Sequence, residues 1–205
     1  MMRRTLLGAL TLLALAGCVT RGVQELPLLE NWDQRRDVLA RLDVWSLRGR
    51  IGIKTPEDAR SGSLSWDQDK RAFEADIDGP LGIGGVRLVG TPESVTLSGS
   101  KIETSTVGDP ETELFRQTGL RVPLGGLRYW LLGVPIPDQQ ADIVFDDAGH
   151  AAVIRQAGWT IEYPEYRQWS VNDLPRRIVA QSGATRLTIV VRDWNIVEEF
   201  QERAQ

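Results

Sequence analysis

Apolar and polar residues alternate along most of the chain, and this pattern predicts β-strands with one face toward water. Between Trp45 and Lys54, large apolar residues alternate mostly with serine, arginine and lysine, a period of two residues. Residues 64–67 and 73–77 repeat the alternation. Further short runs, separated by Gly, Pro, Asp and Asn, predict strands at 86–89, 94–97, 101–105, 143–146, 152–156, 159–163, 168–171, 177–182 and 185–194. Many short, closely spaced strands predict a sandwich or a barrel-like antiparallel sheet.

Three segments carry helical signals instead. Asn31 is a predicted N-cap for a helix over residues 32–42, whose apolar positions lie near one face. Asp109-Pro110 is typical of a helix start, and Gly119 of a helix end. A further helix is predicted over residues 124–132. Because the last two helices fall between about the sixth and seventh strands, we expect them to cover an end or the concave face of one curved antiparallel sheet.

The first eighteen residues form a predicted export signal. Arg3 and Arg4 precede an apolar run, 5–16, that is too short to span a bilayer, which needs about 20 residues. Leu15-Ala16-Gly17-Cys18 resembles the bacterial lipobox, which is cleaved before a cysteine that receives a diacylglycerol. An ordinary signal peptide with an incidental cysteine is the alternative, and the two arginines are only weak evidence for twin-arginine export. Because Val19 and not an aspartate follows, the resemblance implies sorting to the outer membrane.

These signals divide the chain into three parts. Residues 1–17 are a predicted signal peptide, 18–30 a lipidated tether without a clear period, and 31–205 a single domain. Cleavage would leave 188 residues and move the formal net charge from -4 to -6, since two arginines are removed. An acidic domain argues against a nucleic-acid partner. Cys18 is the only cysteine, so the domain contains no disulfide.

The sequence contains no strong catalytic signal. It lacks a Gly-x-Ser-x-Gly elbow and a His or Cys cluster for zinc, and lipidation would consume its one thiol. The only histidine, His150, lies in a turn-like segment beside acidic residues, where we expect it to be solvated. We therefore expect a non-enzymatic protein without a cofactor or a metal. A pocket with two facing acids, or a buried His150, would favour an enzyme.

The segment 78–85 joins two predicted strands and places Leu81 among turn-forming residues. One interpretation is a hairpin whose apolar tip folds back onto the sheet. The other is a protruding loop that dips Leu81 into a membrane. Burial of one leucine contributes about 1.5–3 kcal/mol, which suits a brief contact by a protein that a lipid already holds nearby.

Together these features resemble the LolB family of outer-membrane lipoprotein receptors. The similar segments are Trp32-x-x-x-Arg36-Asp37-Val38, Trp45-x-x-Arg48-Gly49, Gly79-Pro80-Leu81-Gly82, Thr118-Gly119-x-x-Val122-Pro123-Leu124-x-x-Leu127-Arg128-x-Trp130-Leu131-Leu132-Gly133-x-Pro135 and Asp193-Trp194. The chain departs from the family at Gly79, where asparagine is usual, and in a charged tail at 198–205.

The resemblance implies an open, strongly curved antiparallel sheet, a half-barrel, with a helical lid over an apolar cavity. Such a protein faces the periplasm, accepts lipoproteins from the carrier LolA and inserts them into the outer membrane; we expect it to be a monomer. By position, Leu81 becomes the membrane-contacting tip. The implied lid residues are Leu124, Leu127, Trp130 and Leu131, and the implied lining residues are Trp45, Trp66 and Phe73. Ordinary core packing remains open for each, and a scaffold lipoprotein without lipid cargo is the alternative function.

Overall fold

One antiparallel sheet accounts for most of the residues that the computed structural model describes, which are 26–79, 85–99, 102–107, 110–118 and 122–196. Within them the strands are β1 (Val44–Lys54), β2 (Ala59–Asp69), β3 (Ala72–Asp78), β4 (Val86–Thr91), β5 (Ser94–Gly99), β6 (Ile102–Val107), β7 (Asp142–Phe145), β8 (Ala151–Gln156), β9 (Trp159–Trp169), β10 (Asn172–Ser182) and β11 (Thr185–Ile196). Their order is β6-β5-β4-β3-β2-β1-β11-β10-β9-β8-β7. The sheet is open, with β6 and β7 at its two edges, and the predicted mainly-β fold is confirmed.

The alternation of the sequence becomes one-sided burial. In β1 Trp45, Leu47 and Ile51 are buried, as is Gly49 at the same parity, whereas the alternating Ser46, Arg48 and Arg50 are partly or fully exposed. Leu64 and Trp66 of β2 lie buried on the same face, which we call the inner face. Buried apolar residues of the strands and helices form one continuous cluster at this face. The predicted single wet face is therefore confirmed.

The two neighbouring strands at the centre of the sheet, β1 and β11, are the first and the last strand of the described chain. β1 pairs with β2 on one side and with β11 on the other, and Trp45 lies opposite Ile196. The register with β11 shifts between Arg48 and Gly49. A Cβ atom at Gly49 would lie 2.4 Å from the carbonyl oxygen of Val190, so the close approach of the two strands requires glycine there.

The helices match their predictions closely. α1 (Trp32–Ala40) is capped by Asn31, whose side chain accepts a hydrogen bond from the Gln34 amide. α2 (Pro110–Thr118) and α3 (Leu124–Leu131) lie between β6 and β7, as expected. The predicted cap Asp109 and stop Gly119 lie outside the described residues.

α3 ends in a Schellman motif. Gly133 has a positive φ of 79°, its amide donates to the Trp130 carbonyl, and the Val134 amide donates to the Tyr129 carbonyl. The motif turns the chain away from the helix toward β7. The predicted glycine stop after α3 is confirmed.

One predicted strand is wrong. Residues 168–171 do not form an element of their own, because β9 runs on to Trp169 and β10 begins at Asn172. Ser170 makes the turn between them with a φ of 56°. Pro164 and Pro175 interrupt the apolar pattern of these strands, yet the backbone ladder continues past both. β2 also begins earlier than predicted, at Ala59: residues 59–61 are exposed, yet they pair with β1.

The segment 26–30, inside the tether predicted at 18–30, lies against the domain. Leu26 is buried, the Leu29 amide donates to the side-chain oxygen of Asn172, and the Asn172 amide group donates to the Pro27 carbonyl. We call residues 26–30 the strap. The first described residues are thus fixed to the start of β10.

Candidate functional site

The sequence-predicted site residues fall into two groups. Cys18 and Leu81 lie outside the described residues. The remaining seven lie at the inner face or on α3. Six of them are buried, namely Trp45, Trp66, Phe73, Leu124, Trp130 and Leu131, whereas Leu127 is only partly buried.

A row of aromatic rings crosses β1, β2 and β3 at the inner face. The rings of Trp45 and Trp66 are nearly parallel with centroids 6.3 Å apart, and those of Trp66 and Phe73 lie 5.0 Å apart. Trp194 of β11 extends the row, with its ring 5.6 Å from that of Trp45. The structure thus brings the three predicted lining residues together and adds one that the prediction left out.

Two buried polar residues fasten this row and α3 to the turn after β2. Trp66 Nε1 donates to Gln68 Oε1 at 3.1 Å, and Gln68 Nε2 donates to the carbonyls of Lys70 and Ala72. Arg128 of α3 donates to the carbonyl of Lys70 at 2.9 Å and to that of Leu42 at 3.3 Å. Because these donors lie in the interior, the carbonyls at the turn stay satisfied without water.

The opposite side of α3 is fastened to β8 and β9. Trp130 Nε1 donates to Gln156 Oε1 at 3.2 Å, and the Tyr163 hydroxyl donates to the Trp130 carbonyl at 2.9 Å. The Trp130 and Trp159 rings lie 6.1 Å apart. α3 therefore lies across the inner face, tied at β9 and at the turn after β2. Its arrangement offers apolar surface and no reacting group.

His150 is not solvated, contrary to the prediction. Its side chain is 15% exposed and its ring stacks on Tyr166 at 4.6 Å. Asp146 and Asp173 flank its two nitrogens at 3.4 and 3.7 Å. The guanidinium of Arg35 lies over the Tyr166 ring, 5.5 Å from its centroid.

Burial sets the ionisation of this cluster. It lowers the pKa of the Arg35 guanidinium, and the neighbouring carboxylates of Asp173 and Asp146 oppose this shift only in part. It also raises the pKa of the Tyr166 phenol far above its ordinary value. Tyr166 therefore stays protonated and its hydroxyl donates to the Ala151 carbonyl.

Sequence reasoning missed the buried polar residues Gln68, Gln156, Arg128 and Asn172. A signal exists for two of them. Gln68 is an even number of residues from Leu64 and Trp66, so it points to the same face of its strand as they do. Gln156 is related to Ile154 in the same way. Both are therefore polar residues at inward positions of apolar strands. Nothing comparable marks Arg128, which looks like an ordinary exposed charge of a short helix.

The described residues show neither a metal site nor a membrane-spanning helix. Within 26–196, leaving aside the undescribed gaps, no three His, Cys, Asp or Glu side chains are placed to hold an ion. None of the described helices has the length and apolar character needed to cross a bilayer.

Comparison with known proteins identifies the family. The family described as "Outer membrane lipoprotein LolB" matches residues 43–194. The protein named outer-membrane lipoprotein LolB from Pseudomonas fluorescens is 35% identical over 88% of this chain and 90% of its own length. Those from Stutzerimonas stutzeri and Marinobacter nauticus are 34% and 33% identical and cover 93% and 95% of this chain, or 95% and 98% of their own.

Solved structures agree on the fold. A LolA superfamily protein from Nitrosomonas europaea superposes with a TM-score of 0.52 at 8% identity, covering 83% of this chain and 95% of that one. A DUF1329 family protein from Desulfovibrio piger gives 0.52 at 6% identity, over 79% and 89% of the two chains. The match of the family over residues 43–194, together with the close relatives, shows that this chain belongs to the LolB family of outer-membrane lipoproteins, which face the periplasm and serve as receptors in lipoprotein localisation and not as enzymes.

Proposed function

We propose that the protein accepts lipoproteins from the periplasmic carrier LolA, covers their acyl chains at the inner face of its sheet and inserts them into the outer membrane. Residues 1–17 are removed as a signal peptide, and Cys18 carries the lipid anchor. The observation that supports this function best is α3, an apolar helix lying across an apolar inner face in a LolB-family fold.

The energetics explain why such a receptor is needed. At about 0.8 kcal/mol per methylene, exposing three fatty chains to water costs some tens of kcal/mol. Free diffusion of a lipoprotein between membranes is therefore excluded. A transfer between two covered sites avoids that cost without nucleotide or covalent chemistry.

Leu127 is the lid residue best placed to meet an acyl chain. Leu124, Trp130 and Leu131 are at most 5% exposed and already packed, whereas Leu127 retains exposed surface. Leu127→Ser should weaken binding of a fluorescent fatty-acid probe about tenfold, since burial of a leucine side chain against lipid is lost. Tyr129→Ser is the matched control, because residue 129 is also partly buried but lies about 200° away around the same helix.

The fluorescence titration has three informative results. Weaker binding by the Leu127 variant alone supports a lipid site under α3. Equal binding by both variants and the unchanged protein contradicts it. A protein that binds no probe at all would instead be a scaffold lipoprotein.

Leu81 is the proposed membrane-contacting tip. We expect Leu81→Glu to leave acceptance of a lipoprotein from loaded LolA intact but to block its insertion into vesicles, because a carboxylate resists entry into lipid. Val89→Glu is the control, since Val89 is an exposed apolar residue of β4. The assay measures cargo separately in the protein and vesicle fractions, and circular dichroism checks that each variant is folded. Normal insertion by the Leu81 variant would remove the role assigned to this residue.

A further inference from the structure

Exposed apolar side chains lie on and around the strap. Six large hydrophobic residues of the described part are exposed, and four of these lie on the strap, at the end of β7 and in the turn after β9: Leu28 (61% exposed), Val144 (44%), Phe145 (47%) and Val171 (42%). We call Leu28, Phe145 and Val171, with the partly buried Trp32, the basal patch.

The basal patch consists of two pairs of apolar residues, with a groove beside one of them. Asn172 binds both Pro27 and Leu29, and so places Leu28 beside Val171 at the turn between β9 and β10. The Trp32 ring meets that of Phe145 edge-on at 5.0 Å. A groove of about 380 Å³ runs between the strap, the start of α1 and the turn after β7. The patch therefore spans three separate parts of the chain.

The described chain begins close to this patch. The described chain begins at Leu26, which is buried, and the strap continues directly from it. Seven residues lie between Cys18 and Leu26, and the eight steps from one Cα atom to the next, fully extended, reach about 28 Å. A bilayer that holds an acyl group on Cys18 must lie within that distance of the patch.

We propose that the basal patch rests on the bilayer into which the lipid anchor is inserted. This inference depends on the proposed function in one respect, the acylation of Cys18. Apolar side chains on three segments would enter the interfacial region together, while the anchor keeps them at the surface. Glu30 and the buried Arg35 line the groove, and the more exposed carboxylates of Asp146 and Asp173 lie beside His150 at its wall, so the patch suits zwitterionic rather than anionic lipid.

This contact is separate from that proposed for Leu81. The residues flanking the undescribed segment 80–84 lie away from the basal end, because β3 starts beside the basal end of β1 and runs from it. Asp78 is level with Arg50, six residues beyond Val44, which is a rise of about 20 Å. The tether is long enough for either end to face the bilayer, so the two contacts can alternate.

Spin labelling of the full-length lipidated protein in phosphatidylcholine vesicles tests the patch. Cys18 is the only cysteine and is acylated, so a single introduced cysteine carries the nitroxide. Labels at Leu28→Cys and Val171→Cys are compared with one at Val89→Cys, whose side chain is similarly exposed but lies on β4, five strands from β10. Collision rates with oxygen, which enters lipid, and with a water-soluble nickel chelate are measured at each site.

We expect the oxygen-to-nickel collision ratio to be several-fold higher at Leu28 and Val171 than at Val89, and to fall when phosphatidylglycerol is added. Equal ratios at the three sites would overturn the proposal. Low collision rates with both reagents would overturn it as well, because they mean that protein covers the patch. The transfer assay tests the proposed function independently. If the patch contacts the membrane but no cargo is transferred, the proposed function is refuted and the membrane contact is still supported.

Discussion

At the scale of single residues, the interior depends on a few polar side chains placed where apolar ones are the rule. Arg128 is the clearest case, since it is 9% exposed and its guanidinium reaches two backbone carbonyls and Asp43. Its side chain fixes one side of α3 to the turn after β2. Arg128 donates to the Leu42 carbonyl and shares the Lys70 carbonyl with Gln68.

Arg128→Met should lower the free energy of unfolding by about 2 kcal/mol, because buried carbonyls lose a charged donor. Arg48→Met provides the control. Arg48 is 60% exposed and lies 3.6 Å from Asp67, so its loss should cost less than about 0.5 kcal/mol. Urea unfolding followed by tryptophan fluorescence measures both. Equal losses would mean that Arg128 does not hold α3 in place.

At the scale of elements, the connection after α3 is both strained and crowded. Gly133 needs its positive φ for the Schellman motif, and it also lies against β9 and β10. A Cβ atom there would come within 3.0 Å of Pro175 Cγ and of the Tyr166 hydroxyl. Gly158, in the turn between β8 and β9, has nearly the same φ of 77° but open space around it.

Alanine substitutions at Gly133 and Gly158 distinguish the cost of backbone strain from the cost of steric crowding. Gly158→Ala should cost about 1 kcal/mol, the penalty of a left-handed conformation for alanine. Gly133→Ala should cost about 2–3 kcal/mol, since the methyl group also displaces Pro175 or Tyr166. Thermal unfolding of the two variants gives the comparison. If both variants unfold at the same temperature, the Pro175 ring moves aside at little cost and the connection after α3 is not crowded.

Elements also show how far sequence reasoning reaches. The strands β1, β2 and β3 were predictable because one face is wet and one is dry, and α1 and α3 because Asn31 and Gly133 mark an end of each. The division of 159–182 into strands failed, since Pro164 and Pro175 hide two long strands. Nothing in the local sequence indicates that β1 and β11 pair with each other.

The candidate site was predictable only in part. Apolar residues at inward positions were identified correctly as buried, as with Trp45, Trp66 and Phe73. Alternation cannot distinguish a side chain that packs against protein from one that will meet a lipid, because both need an apolar inward position. The partial exposure of Leu127 depends on the packing of α3, which three-dimensional structure alone provides.

At the scale of the whole molecule, the strap determines where the anchor meets the domain. Asn172→Ala removes both hydrogen bonds that hold residues 27 and 29. We expect amide exchange at Leu29 to accelerate at least tenfold, corresponding to the roughly 1.5 kcal/mol of a buried hydrogen bond. Asn31→Ala is the control, because it removes the cap of α1 and should leave the Leu29 amide protected. Unchanged exchange at Leu29 in the Asn172 variant would show that Leu26 alone fixes the strap.

The central position of β11 has a consequence for the order in which the protein forms. β1 is complete early in synthesis, yet one of its two neighbours lies about 140 residues later in the chain. Until that last strand arrives, the strands before and after the helices are two separate half-sheets, each with an unpaired apolar strand at its border. Such distant pairing makes folding slow and leaves the unfinished chain prone to aggregate. This member of a family of lipoprotein receptors therefore passes through a stage in which its own apolar interior is exposed to water.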